Sequence, residues 1–211
     1  EIVIVNGKPC RNIFYHQQQL EYMVMQFLPK EFKLIHGDCT FSNIILKDGA
    51  SPILIDPRGY FGNTELYGDE AYDWTKLYYS LFSNYDQFNL KRFRLHIGQN
   101  SVDIDIFSNN WEELEDYFFE LLEGKVTRLQ MKLYLAITWL SLTTYAWEDY
   151  DSICGAFYMG IYYLEEAFSM NSAYDRYFAA DGEIVTTALK SIDVQEMNNL
   201  INACEETIKA G

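Results

Sequence analysis

The feature of this sequence that most constrains its fold is a pair of short apolar runs that interrupt a long helical pattern. Residues 44–46 and residues 53–55 flank a polar connection, residues 47–52, that contains glycine and proline. Apolar runs bounded by such turn residues predict a β-hairpin. Asn43 precedes the first run and Asp56 follows the second. Antiparallel pairing therefore brings these two polar side chains to the same open end of the hairpin.

The remaining sequence predicts a mostly helical chain with one further hairpin, because apolar residues recur mainly at helical spacing. The first predicted elements are a strand at residues 2–5, a turn at Asn6-Gly7, an extended piece to about Phe14, and a helix over residues 20–28 ended by Pro29. A helix over residues 70–85 and a hairpin near residues 93–106 follow, and helices occupy the rest of the chain.

Three residue pairs in the second half of the chain have the spacing of a helix N-cap and its capping-box partner. An N-cap side chain accepts a backbone N–H of the first turn, and the partner three residues later returns the bond. The pairs are Asn110 with Glu113, Thr127 with Gln130, and Asp193 with Glu196. The helix that begins at Thr127 is apolar on most faces to about Trp147, so we predict that it is the central buried helix.

Length and charge narrow the class of protein. A chain of 211 residues is long enough for one domain with a full core, and we predict a single α+β domain. Acidic residues outnumber basic ones by 31 to 16, so the net charge is −15. Binding to nucleic acid or to an anionic membrane needs a cationic face, and we expect neither partner. A small phosphorylated ligand is compatible with this charge, because a metal ion can reverse the local field.

The four cysteines predict neither a zinc site nor a disulfide framework. No cysteine lies within four residues of another, so the sequence contains no pair with zinc-ligand spacing. We expect reduced thiols and a cytoplasmic protein. Cys39 adjoins Asp38, and its side chain faces either that carboxylate or the core.

Polar side chains that could take part in catalysis or metal binding are concentrated just before the first hairpin. Residues 34–43 read Leu-Ile-His-Gly-Asp-Cys-Thr-Phe-Ser-Asn, which places the Asp38 carboxylate and the Asn43 carboxamide in one loop. With Asp56 at the other end of the hairpin, three oxygen-bearing side chains are predicted to converge. A few carboxylate and amide oxygens with room for water suit Mg²⁺ that is held jointly with substrate phosphates.

This arrangement resembles the active-site segment of the aminoglycoside phosphotransferase and choline kinase family, which is distantly related to the protein kinases. The shared pattern is His-x-Asp, four residues, Asn, an apolar hairpin and Ile-Asp, and the likeness covers residues 32–82. It implies the C-terminal lobe of a protein-kinase-like fold. It also implies that Asp38 is the catalytic base and that Asn43 and Asp56 bind Mg²⁺.

The same resemblance implies the reaction. The γ-phosphate of ATP or GTP, held with two Mg²⁺ ions, would pass to a hydroxyl of a small-molecule acceptor such as a sugar, an amino sugar or an amino alcohol. No residue is predicted to bind the acceptor. The aromatic pairs Tyr78-Tyr79 and Tyr162-Tyr163 are expected in the core; the alternative is a cation–π site for a cationic acceptor.

Three further residues are expected to support the loop. His36 is predicted to pack against the loop or to form hydrogen bonds within it. Asp73 matches a position where related enzymes carry an aspartate, and the resemblance implies that it accepts backbone N–H bonds from the loop; the alternative is an acid of the first helical turn. Arg58 either reaches a phosphate or an acidic substrate group, or pairs with Asp69, Glu70 or Asp73. The structural pairing is the favoured of these two interpretations.

The resemblance to kinases divides the chain into three parts and implies that an N-terminal lobe is missing from it. The parts are a lead-in strand and helix at 1–31, the loop and metal-binding hairpin at 32–61, and a helical subdomain at 62–211. Only 35 residues precede His36, they contain no Gly-rich loop, and Lys8 lies in a turn beside Pro9. We therefore expect a piece of a longer protein whose N-terminal lobe is missing. Alone it should catalyse poorly and expose an apolar strip that includes part of residues 2–5.

Two other function classes stay open. The chain can be a non-catalytic kinase-like module of a larger biosynthetic protein, one that binds nucleotide or serves as a scaffold for a partner. It can also be a metal-dependent hydrolase that uses the same oxygen cluster, although the sequence offers no nearby pair of histidine ligands.

Overall fold

The computed structural model describes residues 2–146 and 149–171, which form an α+β fold, as predicted. The strands are β1 (Ile2–Val5), β2 (Lys8–Arg11), β3 (Lys33–Leu34), β4 (Ile44–Lys47), β5 (Ser51–Leu54), β6 (Tyr60–Phe61), β7 (Thr64–Glu65), β8 (Tyr67–Gly68), β9 (Phe93–Ile97) and β10 (Ser101–Ile106). The helices are α1 (Gln17–Met25), α2 (Glu70–Leu81), α3 (Tyr85–Asn89), α4 (Glu115–Leu121), α5 (Arg128–Leu142) and α6 (Tyr150–Met170). Short 3₁₀ turns lie at Ile13–Tyr15, Phe41–Asn43 and Glu112–Leu114.

A four-stranded sheet in the order β2-β1-β10-β9 joins the first strands to the predicted hairpin near residues 93–106, which is confirmed. Strand β1 pairs antiparallel with β2 and parallel with β10. The predicted turn is also confirmed, because Asn6 and Gly7 have φ values of 48° and 75°, as a two-residue hairpin turn requires. The Asn6 side chain exchanges two hydrogen bonds with the Ile104 backbone, at 3.0 and 2.7 Å, and so ties the turn to β10.

Two elements near the N-terminus end earlier than predicted. Strand β2 stops at Arg11 rather than about Phe14, because the Asn12 side chain accepts the Phe14 N–H and begins a 3₁₀ turn. Helix α1 covers Gln17–Met25 instead of residues 20–28. The ring of Pro29 disfavours helical backbone at the preceding residue, so the helix cannot extend to the end of the predicted range.

Helices α5 and α6 pack side by side and form the centre of the core, with α2 against α5. The α5 residue Trp139 and the α2 residue Tyr78 are each 0% exposed. Gly160 of α6 permits a close approach, because a Cβ built there would lie 2.6 Å from Leu140 of α5. The predicted central position of the helix after Thr127 is confirmed, although it ends at Leu142. Trp147 lies outside the described residues.

The predicted helix caps have three different outcomes. The Thr127 hydroxyl accepts the Gln130 N–H at 3.1 Å, so this cap is confirmed. The cap at Asn110 is wrong, because the Asn109 side chain accepts the Trp111 N–H at 2.8 Å while Asn110 has a φ of 64°. The pair Asp193 and Glu196 lies outside the described residues.

Three small two-stranded sheets, β3-β8, β4-β5 and β6-β7, lie between α1 and α2 along the chain. The predicted hairpin is β4-β5, with Ile44 opposite Leu54. Sheets β3-β8 and β4-β5, together with Leu66 just before β8, carry large apolar side chains that are 42–69% exposed. We call this set the apolar ribbon surface: Leu34, Ile45, Leu46, Ile53, Leu54, Leu66 and Tyr67. Part of the predicted apolar strip on β1 is also present, since Ile2 is 67% and Ile4 is 42% exposed.

Membrane insertion by a helix is not supported for the part of the chain described. Within residues 2–146 and 149–171, no helix is both long enough and apolar enough to cross a bilayer.

Candidate functional site

Helix α2 holds the first half of the loop that carries Asp38, which we call the 36–43 loop. The Asp73 carboxylate accepts the backbone N–H of His36 at 2.7 Å and the N–H of Gly37 at 2.6 Å. These are the contacts that the sequence predicts for Asp73. Hydrogen bonds to an ionised acceptor are stronger than neutral ones, so the loop is anchored to a helix of the core.

Side chains of α2 and α3 hold the second half of the 36–43 loop. The Phe41 N–H donates to the Ser80 hydroxyl of α2, and the Ser42 N–H donates to Asp86 of α3, each at 3.0 Å. Thr40 is 1% exposed and turns the chain inward between them. Each end of the loop therefore has backbone N–H groups fixed by side chains on helices.

Asp38 and Asn43 are in direct contact across the loop. The Asn43 amide donates to the Asp38 backbone oxygen at 2.9 Å and to the Asp38 carboxylate at 3.0 Å. Both amide hydrogens are thus directed at Asp38, and no described residue donates to the Asn43 side-chain oxygen. An amide fixed in this way presents its oxygen as a ready acceptor or metal ligand.

Asp56 and Asn43 lie at the same open end of the hairpin, as predicted. The Ile55 N–H donates to the Asn43 backbone oxygen at 3.0 Å, and Asp56 is the next residue. Asp56 has a φ of 55°, in the left-handed region, and its side chain is exposed with no partner among the described residues. Left-handed backbone costs a non-glycine residue about 1 kcal/mol or more, and strain of this kind concentrates at functional sites.

His36 connects the 36–43 loop to the hairpin. Its Nε2 lies 2.9 Å from the Ile55 oxygen, and its Nδ1 lies 3.3 Å from the Asp38 backbone nitrogen. Because Nδ1 accepts a backbone N–H, the ring hydrogen must be on Nε2, which donates to Ile55. Both ring nitrogens are therefore used for structure, which is the role predicted for His36.

Lys76 of α2 is a site residue that the sequence analysis missed. Its ammonium lies 3.1 Å from the Asp38 carboxylate, and its side chain is only 13% exposed. The rings of Tyr72 and Tyr79 flank it, each with its centroid 5.7 Å from the ammonium. A signal existed, since Lys76 follows Asp73 by three residues and so shares the helix face that meets the loop.

The predicted pairing of Arg58 with Asp69, Glu70 or Asp73 is wrong. Its guanidinium donates to three phenol oxygens, those of Tyr72 at 2.9 Å, Tyr145 at 2.7 Å and Tyr60 at 3.3 Å. The three predicted carboxylate partners have other contacts. Asp69 accepts the Ala71 N–H and the Tyr134 hydroxyl, Glu70 pairs with Lys33, and Asp73 holds the 36–43 loop.

Cys39 and the tyrosine pairs take no visible part in the site. Burial, with the Asp73 carboxylate as the next cause, raises the pKa of the Cys39 thiol to about 12, so the thiol stays protonated at neutral pH. Tyr78 and Tyr79 are 0% and 1% exposed, and Tyr163 is also buried. The core interpretation is therefore confirmed for these three rings, while Tyr162 is half-buried and stacks under Lys8 at 4.4 Å.

The oxygen atoms at this site suit a cation that takes one or two ligands from the protein and the others from water and substrate. Among the described residues, no group of three or more His, Cys, Asp or Glu side chains could hold a metal ion. The donor set is instead the Asn43 side-chain oxygen and the Asp56 carboxylate. Mg²⁺ keeps several waters and binds through one or two protein oxygens together with substrate phosphates, so these residues fit it. They lack the ligands of a dedicated hydrolase metal site.

Comparisons with family models, with curated proteins and with solved structures give no match to this chain. The likeness to the phosphotransferase family therefore rests on the motif and its spacing. The geometry of the 36–43 loop and the hairpin is the observation from which function has to be inferred.

Proposed function

We propose that this chain is the catalytic lobe of a phosphotransferase that moves the γ-phosphate of ATP or GTP to a hydroxyl of a small molecule. The observation that carries the proposal is the contact of Asn43 with Asp38 on one side and with the residue before Asp56 on the other. It brings a carboxylate, an amide oxygen and a second carboxylate, one with no partner among the described residues, to one end of a hairpin.

In this proposal Asp38 is the general base. The acceptor oxygen attacks the γ-phosphorus, its proton passes to the Asp38 carboxylate, and the bond from that phosphorus to the bridging oxygen of the nucleoside diphosphate breaks. The Lys76 ammonium, which lies 3.1 Å from Asp38, places positive charge where the transferred phosphoryl group would pass. Positioning and charge neutralisation account for most of the catalysis in such reactions.

Asn43 and Asp56 would hold Mg²⁺ between the protein and the nucleotide phosphates. The ion supplies neutralisation of the phosphate charge, which a protein with a net charge of −15 needs if it is to bind a nucleotide. The bent backbone at Asp56 sets its carboxylate apart from the strand, and Asn43 is oriented by its two bonds to Asp38.

A second lobe is part of the proposal. The apolar ribbon surface includes both faces of the hairpin that ends at Asn43 and Asp56, since Ile45 and Leu46 are neighbours on one strand, Ile53 and Leu54 on the other, and all four are exposed. Exposed apolar area of this extent is typical of a surface that another domain covers. We place the nucleotide between this surface and the N-terminal lobe that the family resemblance implies.

A non-catalytic nucleotide-binding or scaffold module is the second candidate. One observation favours it, because both carboxylate oxygens of Asp38 already have partners, Lys76 on one and Asn43 on the other. In a module of this kind the Asp38–Lys76 ion pair would have a structural role only.

The test is phosphotransfer by the complete natural protein that contains this chain, with Mg²⁺ and ATP or GTP and a panel of hydroxyl acceptors. Asp38→Asn should lower turnover about a hundredfold or more and leave nucleotide affinity nearly unchanged, because the amide cannot take a proton. Asp56→Asn should weaken binding of the Mg²⁺-nucleotide as well, because it removes a charge from the metal ligands.

Asp48→Asn is the matched control, since Asp48 is also exposed and left-handed, with a φ of 53°, but lies in the hairpin turn. It should behave like the unmodified protein. Full transfer by both site variants would refute the assigned roles. Nucleotide binding without any transfer by the unmodified protein would favour the scaffold module.

A further inference from the structure

A cavity of about 260 Å³ lies between the segment that follows Asp56 and helix α5. Arg58, Tyr60, Tyr72 and Tyr145 contribute to its wall, together with Thr138 and Ser141. Ligand sites for drug-sized molecules run from about 300 to 1,000 Å³. The size of this cavity therefore suits a compact ligand such as a single sugar ring.

The charge of this cavity is opposite in sign to that of the protein. Among the described residues of its lining, Arg58 is the one charged side chain. The whole chain has a net charge of −15. A half-buried guanidinium without a carboxylate partner in the described part of the chain is unusual in so acidic a protein. Its charge is therefore available to an anion.

The guanidinium and the phenols give one side of the cavity wall several hydrogen-bond donors. Three of the five N–H groups of Arg58 donate to the phenol oxygens of Tyr60, Tyr72 and Tyr145. A phenol oxygen that accepts a bond keeps its own O–H for donation, and one such O–H joins Tyr60 to Tyr145. The planar guanidinium and the phenols thus present converging donors, which carboxylate and phosphate groups match best.

Two contacts connect this cavity to the proposed base. The backbone N–H of Arg58 donates to the His36 backbone oxygen at 2.9 Å, and a Cβ at Gly37 would lie 2.9 Å from the Arg58 Cβ. On the other side, the Tyr72 ring lies beside the Lys76 ammonium that pairs with Asp38. The lining residues Arg58 and Tyr72 therefore contact the 36–43 loop and the lysine that pairs with Asp38, respectively.

We infer that this cavity binds the anionic group of the acceptor, so that the substrate is a hydroxyl compound with a carboxylate or a phosphate. The inference rests on the proposed phosphotransferase function. It narrows the acceptor to sugar acids or sugar phosphates, in place of the amino sugars and amino alcohols that the family resemblance suggests.

Calorimetric titration of the complete natural protein without nucleotide tests this inference apart from catalysis. Gluconate and glucose 6-phosphate are the anionic probes, glucitol is the uncharged match, and glucosamine is the cationic one. We expect one of the two anions to bind, and the arm that responds identifies carboxylate or phosphate as the preferred group. Glucitol and glucosamine should bind at least about tenfold more weakly.

Variants locate the binding. Arg58→Gln should weaken anion binding at least about tenfold, and Tyr145→Phe, which keeps the ring, about three- to tenfold. Arg92→Gln is the matched control and should have no effect, because Arg92 is exposed and contacts Gln87 rather than the cavity. Thermal unfolding of each variant shows whether it is folded. If Arg58→Gln is not folded, Tyr145→Phe alone tests the cavity.

The inference is overturned if neither anion binds, if glucitol or glucosamine binds as tightly, or if the two cavity variants bind like the unmodified protein. Failure of the proposed function has a different signature. In that case an anion binds through Arg58, but no phosphate is transferred to any acceptor. Transfer to a cationic acceptor that Arg58→Gln leaves unchanged would support the function and overturn the acidic acceptor.

Discussion

Replacing Asp73 by asparagine measures how strongly α2 holds the 36–43 loop. In the structure, the carboxylate accepts two backbone N–H bonds, at 2.7 and 2.6 Å. A hydrogen bond to a charged group contributes about 1.5–3 kcal/mol, and an unsatisfied N–H adds a penalty of similar size. Asparagine keeps one acceptor oxygen and turns an NH₂ donor toward the second N–H. We therefore expect Asp73→Asn to lower the free energy of unfolding by about 2–4 kcal/mol.

Urea unfolding followed by tryptophan fluorescence gives this free energy. Glu70→Gln is the matched control on the same helix, because its ion pair with Lys33 is exposed by 43% and 48% and contributes at most about 1 kcal/mol. Hydrogen exchange should also quicken at the His36 and Gly37 amides in Asp73→Asn. Equal destabilisation by the two variants, with unchanged exchange at both amides, would refute the anchoring of the loop by Asp73.

Two further predictions concern the same loop. Gly37→Ala should destabilise the protein by about 1–3 kcal/mol in urea unfolding, because Gly37 has a φ of 80° and the new Cβ would meet Arg58 at 2.9 Å; an unchanged unfolding midpoint would contradict this. Cys39, whose pKa burial raises from 9.0 to about 12, should react with iodoacetamide at pH 8 about a thousandfold more slowly than an exposed thiol. Mass spectrometry of the native and urea-unfolded protein measures this, and equal rates in the two states would show that the thiol is not protected.

The parts of the site that could be predicted are those that local sequence determines. A hairpin with apolar strands brings its two ends together by its own pairing, so the neighbourhood of Asn43 and Asp56 follows from the positions of the runs. Asn43 and Asp56 therefore needed no knowledge of distant packing. Asp73 contacts residues that are 37 and 36 positions away in the chain, so its role was predicted from the family resemblance and not from local geometry, and the contacts are present.

Arg58 and Lys76 depended on tertiary packing and were therefore missed or misassigned. The phenol of Tyr145 that receives the Arg58 bond is 87 residues away along the chain. Three carboxylates close in sequence looked like better partners, but each already has contacts in the fold. Lys76 lay on a predicted helix, yet its pairing with Asp38 requires the angle at which α2 meets the loop.

The parallel pairing of β1 with β10 has a consequence for how the chain folds during synthesis. The β1-β2 hairpin is local, but its turn is bonded to Ile104, which is 98 residues further on. At about 5–20 residues per second, a ribosome needs roughly 5–20 seconds to supply that partner. During this interval one edge of β1 has no strand beside it, and an open edge is a template for pairing with another chain. The hairpin of β1 and β2 is therefore open to pairing with other chains until β10 has been synthesised.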